Sequence, residues 1–172
     1  MHTAGSVVTI VVDVEIADPA WLAAGDVDGL AQDAVAATLT EVGRRVHPDT
    51  EISIRLCDDA EIRALNLAWR NRDKATNVLS FPAPAGDGGP LLGDIVVAFE
   101  YVSEEAREAG LSLRDHLSHM LVHGLLHLLG FDHENELDAD EMEDLERGIL
   151  AKLGIDDPYS GAVPVEDVSL PS

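Results

Sequence analysis

The stretch HGLLHLLGFDH, residues 123–133, decides how this chain is read, because three of its seven histidines fall there. His123 and His127 stand four apart in a leucine-rich helical pattern, so both imidazoles project from one helix face. Gly130 then lets the chain leave the helix. His133 follows three residues later, on a segment able to fold back towards the other two. Three neutral imidazoles at ~2.0–2.1 Å from one zinc ion leave the fourth tetrahedral position open, which separates a catalytic zinc from a structural one. One zinc per chain, held by His123, His127 and His133, is therefore expected. Zinc lowers the pKa of a water it binds from about 15.7 to about 7. A lone histidine would be read as an ordinary core or surface residue, but three in this spacing with the glycine in place are not.

The spacing also matches the metzincin protease pattern H-E-x-x-H-x-x-G-x-x-H, with one departure. Position 124 is Gly, where those proteases carry the glutamate that serves as general base. Without that proton acceptor, peptide hydrolysis is disfavoured while metal binding is not. His119 and His116 precede His123 by one and two turns on nearly the same face. His119 has two open readings, a group behind a ligand or facing substrate, and a satisfied helix histidine. Asp132 likewise either orients a ligand, acts as a base or caps the turn.

Outward from this helix the chain alternates strands and helices. The histidine helix starts at Ser112, with Asp115 three residues on. Leu113, Leu117, Met120, Leu121, Leu125 and Leu128 supply its apolar stripe. Residues 94–99 (DIVVAF) are apolar on both faces, which predicts a central strand, and residues 100–109 a helix. Residues 7–14, 51–56 and 76–81 read as further strands, with a loop over 83–90. A helix over 28–46 is expected from the period of Val35, Leu39, Val42 and Val46. Asp58 with Glu61 resembles a capping box, opening a helix that buries Ile62, Leu65 and Trp69. The last helix, about 138–153, buries Met142, Leu145, Ile149 and Leu153, and its acids suit the helix dipole. The fold class is α+β: a small mixed sheet of about four strands packed with about five helices, including a zincin-like metal helix. Residues 1–155 form one domain, and 156–172 an acidic, flexible tail.

Length and composition bound the function. The 172 residues suit a single core. Thirty-three acids against eleven lysines and arginines give a formal net charge of -22. That charge opposes non-specific binding to nucleic acid and acidic membranes, and no DNA partner is expected. The single cysteine, Cys57, excludes a disulfide within the chain and fits a reducing cytoplasm. The N-terminal apolar run lacks the parts of a signal peptide, and no apolar stretch reaches membrane-spanning length. Localisation is therefore expected to be cytoplasmic. Trp21 and Trp69 read as packing residues, and Cys57 as a small buried hydrophobe.

Against this charge, Arg63, Arg70, Arg72 and Lys74 gather more than a third of the cations within twelve residues. A charge cluster is usually a solvated face; in so acidic a chain it also suits a phosphate clamp. Here the pattern becomes specific. LNLAWRNRDKATNVLSFP (65–82), LGDIVVAF (92–99) and HMLVHGLLHLLGFDH (119–133) resemble, in order and spacing, the YbeY family of endoribonucleases. The resemblance spans about residues 58–150. Trp69 stands where Tyr is usual, Ala75 where Pro is common and Phe131 where Tyr is common; the last removes a hydroxyl near the expected metal.

The resemblance implies an α+β fold, a zinc on His123, His127 and His133, and a functional arginine at position 70. It further implies single-strand-specific RNA cleavage, maturation of small-subunit ribosomal RNA and ribosome quality control, with RNA and ribosomal components as partners. Arg70, Arg72, Lys74 and His119 are the candidate substrate-binding residues, and Arg70 and the three ligands the candidate catalytic set. Two rivals are kept: a zinc hydrolase with another substrate, and a non-catalytic ribosome-associated factor with a structural metal. With so few cations, binding to free RNA is expected to be weak, so that a ribosome or protein partner presents the substrate.

Overall fold

The computed structural model describes residues 10–43, 50–83, 91–131 and 136–158, with side chains from 139 onward in the last segment. Its four strands are β1 (Val11–Ile16), β2 (Glu51–Cys57), β3 (Val78–Pro82) and β4 (Leu91–Ala98). They form one sheet in the order β1-β2-β4-β3. β1, β2 and β4 are parallel, and β3 closes the edge antiparallel to β4, with Ser80 opposite Ile95. Five α-helices accompany them: α1 (Val27–Val42), α2 (Asp59–Arg70), α3 (Phe99–Ala109), α4 (Leu113–Leu128) and α5 (Glu136–Lys152). A 3-10 helix at Pro19–Ala24 precedes α1. The expected α+β class and mixed sheet are therefore observed.

β4 is an interior strand, as its two apolar faces required. Ile95 and Val97 point into the main core with Ile52, Ile54, Leu56, Leu117, Leu121 and Leu125. Val96 and Ala98 point the other way, joining Cys57, Ile62 and Leu79 in a smaller cluster that also takes in Leu65 and Phe81. Each large apolar side chain so buried contributes roughly 1.5–3 kcal/mol. α4 thus packs on one face of the sheet and α2 on the other. Trp21 is fully buried, donates from its indole N–H to the Cys57 carbonyl at 2.9 Å and meets Phe99 edge-on.

Caps set the helix starts. Asp58 accepts from the Glu61 amide at 2.9 Å. The expected return bond of a capping box is replaced, because the Glu61 side chain pairs with Arg55. Ser112 accepts from the Asp115 amide at 3.0 Å. α1 ends at Gly43 in the left-handed region, so Val46 lies outside the described residues. Residues 7–9, loop residues 84–90 and tail residues 159–172 also lie outside them.

One packing expectation fails. Trp69 is 72% exposed, not buried with Ile62 and Leu65. It sits in the last turn of α2 and touches Phe81 on edge strand β3. Among the described residues β3 is the last strand of the sheet, and none beyond it covers the indole.

Candidate active site

α4 carries four histidines, each with a defined environment. His123 and His127, half-buried and one turn apart, bring their Nε2 atoms to 3.2 Å from one another. That separation is close to the ~3.3 Å edge of a tetrahedron whose ligands stand ~2.0–2.1 Å from a central ion. Behind them lies Glu146 of α5, 1% exposed. Its Oε2 accepts from His123 Nδ1 and its Oε1 from His119 Nε2, both at 2.7 Å. A carboxylate only accepts, so both of these ring nitrogens carry protons. A proton on Nδ1 of a neutral His123 leaves the Nε2 lone pair aimed towards His127. This is the carboxylate–histidine arrangement that orients metal-binding imidazoles. Burial pushes the Glu146 carboxyl up, but its interactions with the imidazole N–H groups of His123 and His119 outweigh it and hold the group well below the usual carboxylate range.

The residues present therefore fit a zinc or similar cation in their donor chemistry and spacing. Among the described residues, no group of three His, Cys, Asp or Glu side chains could hold a metal ion. His133, the expected third ligand, lies outside them, as do Asp132 and Glu134. α4 ends at Leu128, just before Gly130. Gly130 takes φ of 100°, and the Phe131 amide returns to the Leu126 carbonyl at 3.0 Å. His119 is buried against Glu146, which it shares with His123. His116 is also buried and pairs with Glu105 at 2.9 Å.

Gly124 acquires a physical reason. A Cβ there would lie 2.9 Å from Ile95 Cγ2 and 3.1 Å from Ser80 Oγ. The Ser80 hydroxyl donates to the Gly124 carbonyl at 2.9 Å. The helix thus packs onto β3 and β4 at the turn holding His123, where a glutamate side chain has no room.

Arg70 approaches the same strand. Its Nη2 donates to the Ser80 carbonyl at 3.4 Å, and its guanidinium lies 6.0 Å from the Phe81 ring centre. Ser80 therefore contacts the histidine helix through its side chain and the arginine through its backbone. Burial, and then the charge of Arg72, lower the Arg70 pKa. Asn71 caps α2 in the left-handed region with φ of 59°. The buried Asn66 amide holds the Lys74 carbonyl at 2.9 Å, fastening the turn that carries the exposed Arg72 and Lys74. Arg63 is separate, paired with Asp73 at 2.7 Å.

Sequence reasoning passed over Glu146, reading the acids of this helix only as matched to its dipole. A signal was available: Glu146 stands four after Met142 and three before Ile149, inside the apolar stripe. A carboxylate in such a stripe needs a buried partner.

The fold class is α+β, a mixed sheet bearing a carboxylate-backed imidazole pair on one face and an arginine reaching its edge strand. A family model, Endoribonuclease YbeY, matches residues 21–154. The Endoribonuclease YbeY of Methylocella silvestris is 48% identical over 154 residues, 87% of this chain and 85% of that protein. That of Azorhizobium caulinodans is 50% identical over 158 residues, 90% of this chain and 98% of that protein. The fold is also similar to the solution structure of TM1509 from Thermotoga maritima, with a TM-score of 0.55 and 23% identity, over 91% of this chain and 99% of that one. The chain belongs to the endoribonuclease YbeY family, and it is accordingly an enzyme of the nuclease class of hydrolases.

Proposed function

We propose that this protein is a zinc-dependent, single-strand-specific endoribonuclease that acts in small-subunit ribosomal RNA maturation and ribosome quality control. The observation that carries the chemistry is the 3.2 Å convergence of His123 and His127 Nε2 with the buried Glu146 behind His123. His123, His127 and His133 are the proposed ligands. Zinc, when bound, supplies Lewis-acid chemistry: it acidifies a water and polarises a phosphoryl oxygen.

The chain's own residues do the rest. Glu146 keeps the His123 proton on Nδ1 and so keeps Nε2 available as a donor. Arg70 holds the scissile phosphate and stabilises the charge that grows on its oxygens. Its burial removes competing water, which strengthens that interaction. Arg72 and Lys74 bind flanking phosphates from the turn fixed by Asn66. His119 supports Glu146.

The net charge of -22 is a global quantity, whereas cleavage depends on the local field at the Ser80 edge. Few phosphates can be neutralised there, so affinity for naked RNA is low and a ribosome or ribosome-associated protein presents the substrate. The cytoplasm is the proposed location. No helix among the described residues is long and apolar enough to cross a membrane.

The test compares wild type with Arg70→Ala on ribosomal particles and on naked RNA, with zinc content measured alongside. Arg70→Ala is expected to keep its zinc and lose RNA cleavage. Cleavage at the wild-type rate by this variant would defeat the assignment. Tight, fast action of wild type on naked RNA at physiological salt would defeat the presentation idea.

A further inference from the structure

We propose that Trp69 is a stacking platform for an unpaired base of the RNA strand whose phosphate Arg70 holds. The inference rests on the endoribonuclease reading above and deepens it by giving the site a means of selecting single strands.

Trp69 is the most exposed large hydrophobic side chain among the described residues, at 72%. It is nonetheless held in place. Its ring meets Phe81 edge-on, with centres 6.2 Å apart and planes at 60°. Phe81 packs against the smaller core cluster and also lies beneath the Arg70 guanidinium. Phe81 on β3 therefore meets both the indole and the guanidinium. The Ser80 side chain, one residue before Phe81, contacts the turn of α4 that carries His123. A strand lying along this edge would pass the arginine and the indole in succession.

Charge selects the occupant. Among the described residues, no carboxylate lies at ion-pair distance from Arg70, Arg72 or Lys74, whereas Arg63 is engaged by Asp73. In a chain of net charge -22, an exposed indole followed within five residues by three such cations matches a polyanion that also carries flat rings. Single-stranded RNA has both features, and its bases stack on aromatic side chains in a sequence-tolerant way. A base inside a duplex has its faces covered by its neighbours. Stacking also adds affinity that does not depend on neutralising phosphates, which the few cations of this surface cannot do extensively.

Fluorescence can follow the contact, because the only other tryptophan, Trp21, is fully buried. Zinc-loaded wild-type protein is titrated at low salt with a short 2′-O-methyl oligoadenylate, which resists cleavage, and with an abasic strand of equal length. Oligoadenylate is expected to quench the exposed indole and the abasic strand to leave it unquenched. Trp69→Ala should weaken oligoadenylate binding by about ten-fold or more, the order lost when a stacking aromatic is truncated. Trp69→Tyr should restore most of it, and the salt dependence should stay as in wild type. Because the side chain is exposed, thermal melting of both variants should match wild type.

Unchanged oligoadenylate binding by Trp69→Ala, or equal binding of the abasic strand, overturns the platform and leaves a protein partner as the occupant of this surface. If wild type cleaves single-stranded RNA and Trp69→Ala does so with the same kcat/KM, the platform alone falls. If wild type does not bind the oligoadenylate at low salt, the platform falls; if it also leaves the RNA of ribosomal particles uncleaved, the endoribonuclease reading falls with it.

Discussion

Replacing Glu146 with glutamine removes one charge and alters almost no volume, so it isolates what the buried carboxylate does. In the native protein its Oε1 accepts from His119 Nε2 and its Oε2 from His123 Nδ1, both at 2.7 Å. The carbonyl of a glutamine can accept one of these. Its NH2 group must then face the other imidazole N–H, donor against donor. One charge-assisted bond is lost at a site 1% exposed, at a cost of about 1.5–3 kcal/mol. For a domain of this size, one kcal/mol moves the melting midpoint by about 2–4 °C. The metal-free variant should therefore melt roughly 3–12 °C below wild type. His123 can escape the clash by moving its proton to Nε2, but that removes the lone pair facing His127. Zinc affinity should accordingly fall by roughly 10–100-fold. Thermal melting in excess chelator reads the first effect, and competition with a fluorescent zinc chelator reads the second. A Glu146→Gln protein that melts with wild type and binds zinc equally tightly would refute the reasoning.

Two further outcomes follow from the packing. Gly124→Ala should lower the melting midpoint despite its better helix propensity of ~1 kcal/mol. The new methyl would meet Ile95 Cγ2 at 2.9 Å, and overpacking of this kind costs ~1–3 kcal/mol; a higher midpoint would contradict the close approach of α4 to the sheet. The Cys57 thiol, pushed by burial from 9.0 up to about 12, should resist alkylation at pH 8 in the native protein. Because the folded state keeps this proton longer than the unfolded chain, its stabilising contribution is complete below pH 9 and declines as the pH rises towards 12. Cys57→Ala should flatten that alkaline decline in melting midpoint. Labelling of the native thiol at the rate of the unfolded chain would contradict its burial.

Much of the fold was legible because short-range rules govern it. The spacing of His123 and His127 determines that they share a helix face. The two apolar faces of residues 94–99 determine that β4 is interior, and Asp58 and Ser112 cap the helices that follow them. Four features depended on tertiary placement instead. Trp69 continues the period of Ile62 and Leu65, yet α2 carries it to the edge strand, where burial ends. Glu146 looked like one acid among many in α5, and only its place between Met142 and Ile149 sets it apart. Gly124 read as a missing general base, whereas its backbone is the contact through which α4 meets Ser80. Arg70 was legible as a cation, but its seat on the Ser80 carbonyl was not, because that contact depends on how α2 packs against edge strand β3.

The most direct test measures metal content and RNA cleavage in the same samples of wild type and His127→Ala. One zinc per wild-type chain, with cleavage abolished by chelation and restored by zinc, and a variant lacking both the metal and the activity, is the result required here. Cleavage by metal-stripped wild type, or an active His127→Ala protein, would contradict it.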